Sequence, residues 1–384
     1  MAAINGHGGR RVRHTSTHSV RVSNTQGLWQ ELRALRSAPV GYAAHDAERR
    51  AVFTSALRQS QELAAATAAA GYAAKPLPLY YCLTQGMRAA AAATISGPAW
   101  RIVRHGASVK PSPSGMLDSV IDPRPSVRGD SMDVVSAVQH MDGNADRLTE
   151  RMTLRELWIS TPSAPPLPDA LGGDCAAPLL LHRPLASAVR EASAAAGRLE
   201  LAVEGLSREL RDADLPAALN RYPTLAGGRS VRPHVEGSEL SQYYVFDHPQ
   251  VIYNSTPRGF INIAMGAAWV DTSPVIHWAV DGADEDSLGE ALESLARVGT
   301  GDERTRLAFP RLGGSDSPSF LALRLRLLLA LSSLARYEPA MWVEGIDPDR
   351  SPVSVPLERT CDQAEEFIPS MLHVMLVQEL DVPT

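Results

Sequence analysis

Apolar residues recur at helical spacing towards both ends of the chain, and alternate with polar ones at the period of a strand mainly in its middle. Leu28, Trp29, Leu32 and Leu35 predict a short helix over about 26–37. Residues 45–70 predict a longer one. Asp46 suits its cap, Ala51, Leu57, Leu63 and Ala64 form its apolar stripe, and Gly71 ends it. Lys75-Pro76-Leu77-Pro78 is expected to be a stiff connector, because each proline removes a donor and restricts its neighbour. Residues 79–95, with their leucines, Met87 and alanine run, predict a buried helix. Gly86 and the alanines would let a second helix approach it closely.

After Gly97-Pro98 the pattern weakens. Residues 110–130 are rich in Pro, Ser and Gly and read as loop, with short helical fragments over 132–140 and 153–159. Residues 198–203 alternate polar and apolar positions as a half-buried strand does. A helix is expected over 207–220. The runs 242–246, 251–254, 260–264 and 268–270, β-branched or aromatic and set off by turn residues, then predict short antiparallel strands. Residues 286–298 return to helix. Phe320 to Tyr337 is almost continuously apolar and predicts a central core helix, and 357–380 an amphipathic one kinked at Pro369.

The fold class expected is therefore α+β and predominantly helical, with helical N-terminal and C-terminal parts flanking a small antiparallel sheet. The organisation expected is a disordered basic tail (1–24), a helical N-terminal region (25–160), a linker-like loop region (161–190), a strand-containing middle (191–300) and a helical C-terminal region packing on the rest (301–384).

Composition narrows the function classes. With a formal net charge of −6, the surface as a whole is not built to grip nucleic acid, although a local basic groove is compatible with it. The basic residues are nearly all arginine, Lys75 and Lys110 being the only lysines, a usage that fits a GC-rich coding sequence. No apolar run reaches the roughly 20 residues that span a bilayer. The best stretch is broken by Arg324 and Arg326. The basic start, with Arg10, Arg11, Arg13 and Arg21, lacks the apolar segment of an export signal, so a cytoplasmic protein is expected. Cys82, Cys175 and Cys361 are too scattered for a disulfide framework or a thiolate metal site.

No dinucleotide fingerprint, P-loop, HExxH or GxSxG motif is present. No cofactor and no metal are therefore expected. One local cluster has the ingredients of chemistry: Tyr80, Tyr81, Arg88, Arg101, Arg104 and His105. Histidine titrates near neutrality and suits proton transfer, while arginine holds phosphate charge. The same residues also suit plain architecture. The tyrosine rings could be buried, and His105-Gly106 could close a helix. A second cluster, Arg336-Tyr337-Glu338-Pro339 with Trp342, reads as a structural corner in which Pro339 ends the core helix. Arg221-Tyr222-Pro223 reads as another stop.

Tyr80-Tyr81 with Arg88, His105-Gly106, Arg221-Tyr222-Pro223, and above all Ser332 to Pro339 with Trp342, resemble the bacterial YaaC-like proteins, over about Trp29 to Leu380. That family is essentially uncharacterised. The resemblance implies a cytoplasmic bacterial protein and no settled activity. The chain is also loosely similar to HEPN-type helical domains, whose RNase members place a histidine four to six residues after an arginine. Arg101 and His105 have only three residues between them, a departure from that pattern.

Two functional readings follow. The first is a non-enzymatic binding or interaction module, set in a bacterial stress or defence context, with a protein partner. The second is a HEPN-like, metal-independent enzyme that handles RNA or nucleotides. Arg101 and His105 would be its catalytic pair, and Arg88, Arg104, Tyr80 and Tyr81 would bind substrate. Paired helical faces are compatible with a homodimer in either case.

Overall fold

In the computed structural model the described residues are 25–124, 131–141, 148–162, 164–173, 175–182, 217–218, 220–222, 310–315 and 318–378, with strands at intervals between 198 and 308. The basic tail and most of the helices expected over 207–220 and 286–298 lie outside them. Helix α1 covers Thr25–Ala34, the short α2 Tyr42–His45 and the long α3 Ala47–Ala68. Asp46 caps α3 as its sequence position suggests, accepting the Arg49 N–H at 2.9 Å. That hydrogen bond favours the ionised carboxyl and holds its pKa below the ordinary value.

Helix α4, Pro76–Thr94, corrects one expectation. The two prolines form no connector but open the helix. A first turn has N–H groups without intrahelical acceptors, so proline forfeits nothing there, and its fixed φ suits the helix. The alanine-rich face of α4 lies close against α3. There the Ser60 hydroxyl donates to the Cys82 carbonyl at 2.8 Å and the Cys82 thiol donates to the Ser60 carbonyl at 3.2 Å, binding the two helices reciprocally. Burial pushes the Cys82 thiol up to about 12.

Arg49 closes the far end of α4. Its guanidinium donates to the carbonyls of Ala92 (3.2 Å), Ile95 (2.7 Å) and Gly97 (2.6 Å), between the rings of Tyr42 and Trp100. The last carbonyls of a helix have no intrahelical partner, and one planar cation here serves several of them.

Strand β1, Arg101–Arg104, follows, and pairs in parallel with β4, Ser131–Asp133. The reading of His105-Gly106 as a helix terminus is thereby corrected, since His105 leaves a strand. Ile102 and Val103 are β-branched and Gly97-Pro98 bars the continuation of α4. Between these strands lie β2 (Ala107–Lys110) and β3 (Val120–Pro123). With β5 (Met152–Thr153) they form an antiparallel sheet in the order β2-β3-β5. Short helices α5 (Val134–Met141), α6 (Leu154–Ser160) and α7 (Asp169–Gly172) complete this part. Thr153 and Glu156 form a capping box on α6.

The middle of the chain carries strands, as its alternating pattern predicts. They are β6 (Leu179–His182), β7 (Arg198–Glu204), β8 (Gly228–Val231), β9 (Tyr243–Phe246), β10 (Gln250–Asn254), β11 (Arg258–Asn262), β12 (Ala267–Asp271), β13 (Val275–Ala279), β14 (Ala296–Arg297) and β15 (Thr305–Ala308). Eight of them form one antiparallel sheet in the order β14-β15-β6-β7-β13-β10-β9-β8, and β11 pairs with β12 as a separate hairpin. Ala296–Arg297 at the end of the expected 286–298 helix is strand, paired to Leu307 and Arg306.

Helices return with α8 (Phe320–Tyr337), α9 (Pro339–Gly345) and α10 (Ser354–His373), which runs through Pro369 into a π-helical turn at Val374–Gln378. Pro339 does separate α8 from α9. The Trp342 indole is buried and donates to the Tyr72 carbonyl at 3.2 Å. Helices α8 and α10 both pack on α4, and α10 also packs on α1, so the two ends of the chain share one core. Gly86 sits where α10 crosses α4. A Cβ there would lie 2.6 Å from Leu372 Cδ1, so the small residue sets the approach of the two helices. Lys75 fixes the same pair through Asp362 and Glu365, each at 2.9 Å. Burial alone would lower the lysine pKa, but the hydrogen bonds to these carboxylates outweigh it and raise the value. Among the described residues no helix is long and apolar enough to cross a membrane.

Candidate functional site

Tyr80 and Tyr81 are consecutive on α4, so they point about 100° apart around its axis. Tyr80 is buried and Tyr81 sits at the rim. Strand β1 packs beside α4 and delivers His105 to the same place. The chain then turns at Gly106, with φ of 82°. Its missing Cβ is required twice: by that left-handed conformation, and by the Asp133 carboxylate, whose Cγ would lie 2.8 Å from it. Asp133 is itself immobilised, accepting from the Ser136 N–H at 2.8 Å and the Ser136 hydroxyl at 2.7 Å at the start of α5.

The Tyr80 hydroxyl and His105 Nδ1 are 2.6 Å apart. The Tyr80, Tyr81 and His105 rings pack against one another, with centroids 5.4–6.2 Å apart. Two guanidiniums border this group. Arg88 lies two turns along α4 from Tyr81, with Nη1 donating to Gln85 Oε1 at 3.3 Å and a buried Nε that has no acceptor among the described residues. Arg336 comes from the last turn of α8. Its Nη1 donates to the Tyr81 hydroxyl at 3.4 Å, and its guanidinium carbon is 4.9 Å from the centre of the Tyr337 ring. Among the described residues neither arginine forms an ion pair with a carboxylate.

The electrostatics follow from that arrangement. Burial raises the Tyr80 pKa, so the phenol stays neutral. Burial, then Arg88 and Arg336, lower the His105 pKa from 6.5. Both partners are neutral at pH 7. A phenol that donates to Nδ1 leaves the imidazole proton on Nε2. In that tautomer the assembly offers an imidazole N–H beside two guanidiniums; in either tautomer the two guanidiniums are donors suited to an anion.

Of the residues singled out in the sequence, Tyr80, Tyr81, Arg88 and His105 come together. Arg101 is engaged elsewhere: its guanidinium pairs with Glu48 and lies over the Trp100 ring. Arg104 is exposed on β1, opposite Asp133 in the ladder. Arg336 and Tyr337 are the residues that sequence reasoning placed in a separate corner. Nothing in their local spacing indicates that the end of α8 lies over Tyr81. Among the described residues no three His, Cys, Asp or Glu side chains gather as metal ligands.

Residues 21–192 match the family model of the YaaC-like proteins, and over that stretch the resemblance read from the sequence holds. It includes Tyr80, Tyr81, Arg88 and His105. The segment Arg336 to Trp342, which prompted the resemblance most strongly, lies outside the match, and the match is shorter than the Trp29 to Leu380 expected. The similarity to HEPN-type domains gains no support from it. No curated protein and no solved structure matches the chain.

Proposed function

We propose that the protein is a binding module that captures a phosphate-bearing ligand between Arg88 and Arg336, with His105 and the Tyr80–Tyr81 pair as its floor. The observation that carries this reading is the meeting, at a neutral, hydrogen-bonded Tyr80–His105 pair, of two arginines that have no carboxylate partner among the described residues. Guanidinium–phosphate contacts are charge-assisted, and an anion would supply acceptors that Arg88 Nε lacks. A cytoplasmic bacterial setting, in a stress or defence system with a protein partner, accords with this role. Cleavage of RNA by Arg101 and His105 is the weaker reading, because the Arg101 guanidinium is taken up by Glu48.

Titration calorimetry with inorganic phosphate and pyrophosphate tests the proposal. Binding is expected for the native chain, weakened about tenfold or more in each of Arg88→Gln and Arg336→Gln, because a hydrogen bond to a charged group contributes about 1.5–3 kcal/mol. Absence of heat with both anions, together with an unmoved His105 resonance, would overturn it.

A further inference from the structure

We infer that the anion is the phosphate of a nucleotide, with Tyr337 as the platform for its base; this rests on the phosphate site proposed above. Tyr337 is 67% exposed, and no other Phe, Tyr or Trp ring among the described side chains is exposed. Globular chains normally cover large aromatic rings, and an uncovered one next to a cationic site suits stacking. Arg336 lies against this ring at 4.9 Å and also reaches the Tyr81 hydroxyl at 3.4 Å. A single guanidinium therefore spans the interval from the stacking surface to the Tyr80–His105–Arg88 group. A ligand with an aromatic base at one end and a phosphate at the other matches that layout, whereas a sugar phosphate or bare phosphate leaves Tyr337 unused.

One platform accommodates one base. Proteins that track single strands set out successive rings along a basic groove. Here the chain as a whole is acidic, with a net charge of −6. The ligand class is thus a mononucleotide in preference to a polynucleotide.

The test compares adenosine 5′-monophosphate with ribose 5-phosphate, which differ by the base alone, in calorimetric titrations of the full chain. The nucleotide is expected to bind about tenfold more tightly, the scale of one base–aromatic stack. Tyr337→Ala should erase that difference while leaving ribose 5-phosphate binding unchanged, and Tyr337→Phe should preserve it. Equal affinities for the two ligands, unaffected by Tyr337→Ala, would overturn the inference and leave the phosphate site standing. Binding of neither ligand, nor of pyrophosphate, would overturn both. A short oligoadenylate that binds much more tightly than the mononucleotide would overturn the restriction to one base.

Discussion

Arg336 Nη1 donates to the Tyr81 hydroxyl at 3.4 Å across 255 positions of sequence. The bond joins the end of α8 to the middle of the first turns of α4, and with it the two corners that the sequence marks separately. Arg336 also adds positive potential at His105, which gives the pair a measurable consequence.

The imidazole of His105 should titrate below 6.5, and Arg88→Gln with Arg336→Gln should move its midpoint upward. Heteronuclear NMR of the histidine side chains reads both. The sign for stability follows: the unfolded chain binds this proton more readily than the folded one. His105 therefore leaves stability intact above pH 6.5, and subtracts from it as pH falls from there through the lower folded-state value. A folded-state midpoint at or above 6.5 would contradict the arrangement.

Gly106→Ala should destabilise the fold by about 3 kcal/mol, combining left-handed strain with overpacking. The added carbon would press on Asp133 and sit 3.0 Å from Val135 Cγ2. Urea denaturation measures the loss. The same variant should break the Tyr80–His105 hydrogen bond by shifting His105, which the histidine spectrum would register.

Gly86→Ala sets two effects against each other. Alanine favours the helix by about 1 kcal/mol, but the buried Leu372 cannot yield easily and overpacking costs about 1–3 kcal/mol. A net loss is expected. Its signature is coupling: Leu372→Ala should cost less in the Gly86→Ala background than alone, because the leucine methyl groups lie 2.6 and 2.7 Å from the new carbon. Additive losses in a double-mutant cycle would refute close packing at this crossing.

Arg49→Lys is expected to lose most of what Arg49 supplies, about 2–4 kcal/mol in chemical denaturation. A lysine ammonium is a point charge and cannot fill both the span to the Ala92, Ile95 and Gly97 carbonyls and the slot between Tyr42 and Trp100. A lysine variant as stable as the native chain would mean that the cation matters and the fork does not.

Much of this architecture is legible in the chain. The stripe on α3, the Asp46 cap, the small face of α4 and the apolar run of α8 each follow from local periodicity. The errors are equally local. Pro76 and Pro78 suit a connector and a first helical turn alike, and only the following residues decide between them. Leu179–His182 and Val275–Ala279 are short runs with little alternation, so periodicity alone cannot separate a buried strand from a piece of helix. His105-Gly106 suits the close of a helix, because cations and glycine favour helix ends, but Ile102 and Val103 make the segment before it a strand. One side of the candidate site is visible in the sequence as Tyr80, Tyr81, Arg88 and His105. The other side, Arg336 and Tyr337, depends on how α8 crosses α4, which is a tertiary fact with no local signature.

The shared core of α1, α4, α8 and α10 has a consequence for synthesis. The segment that matches the YaaC-like family ends at residue 192, well before α8 begins at Phe320. During translation α4 packs on α3 as it emerges, but the side of it that α8 and α10 cover is left open. It stays so until the whole strand-bearing stretch and then α8 and α10 have left the ribosome. Loop closure over such distances is slow, and exposed apolar helices invite association in the meantime. The family boundary is thus not a boundary at which the chain could be cut: a fragment ending near 192 should emerge as an aggregation-prone half of a core, awaiting helices encoded more than a hundred codons later.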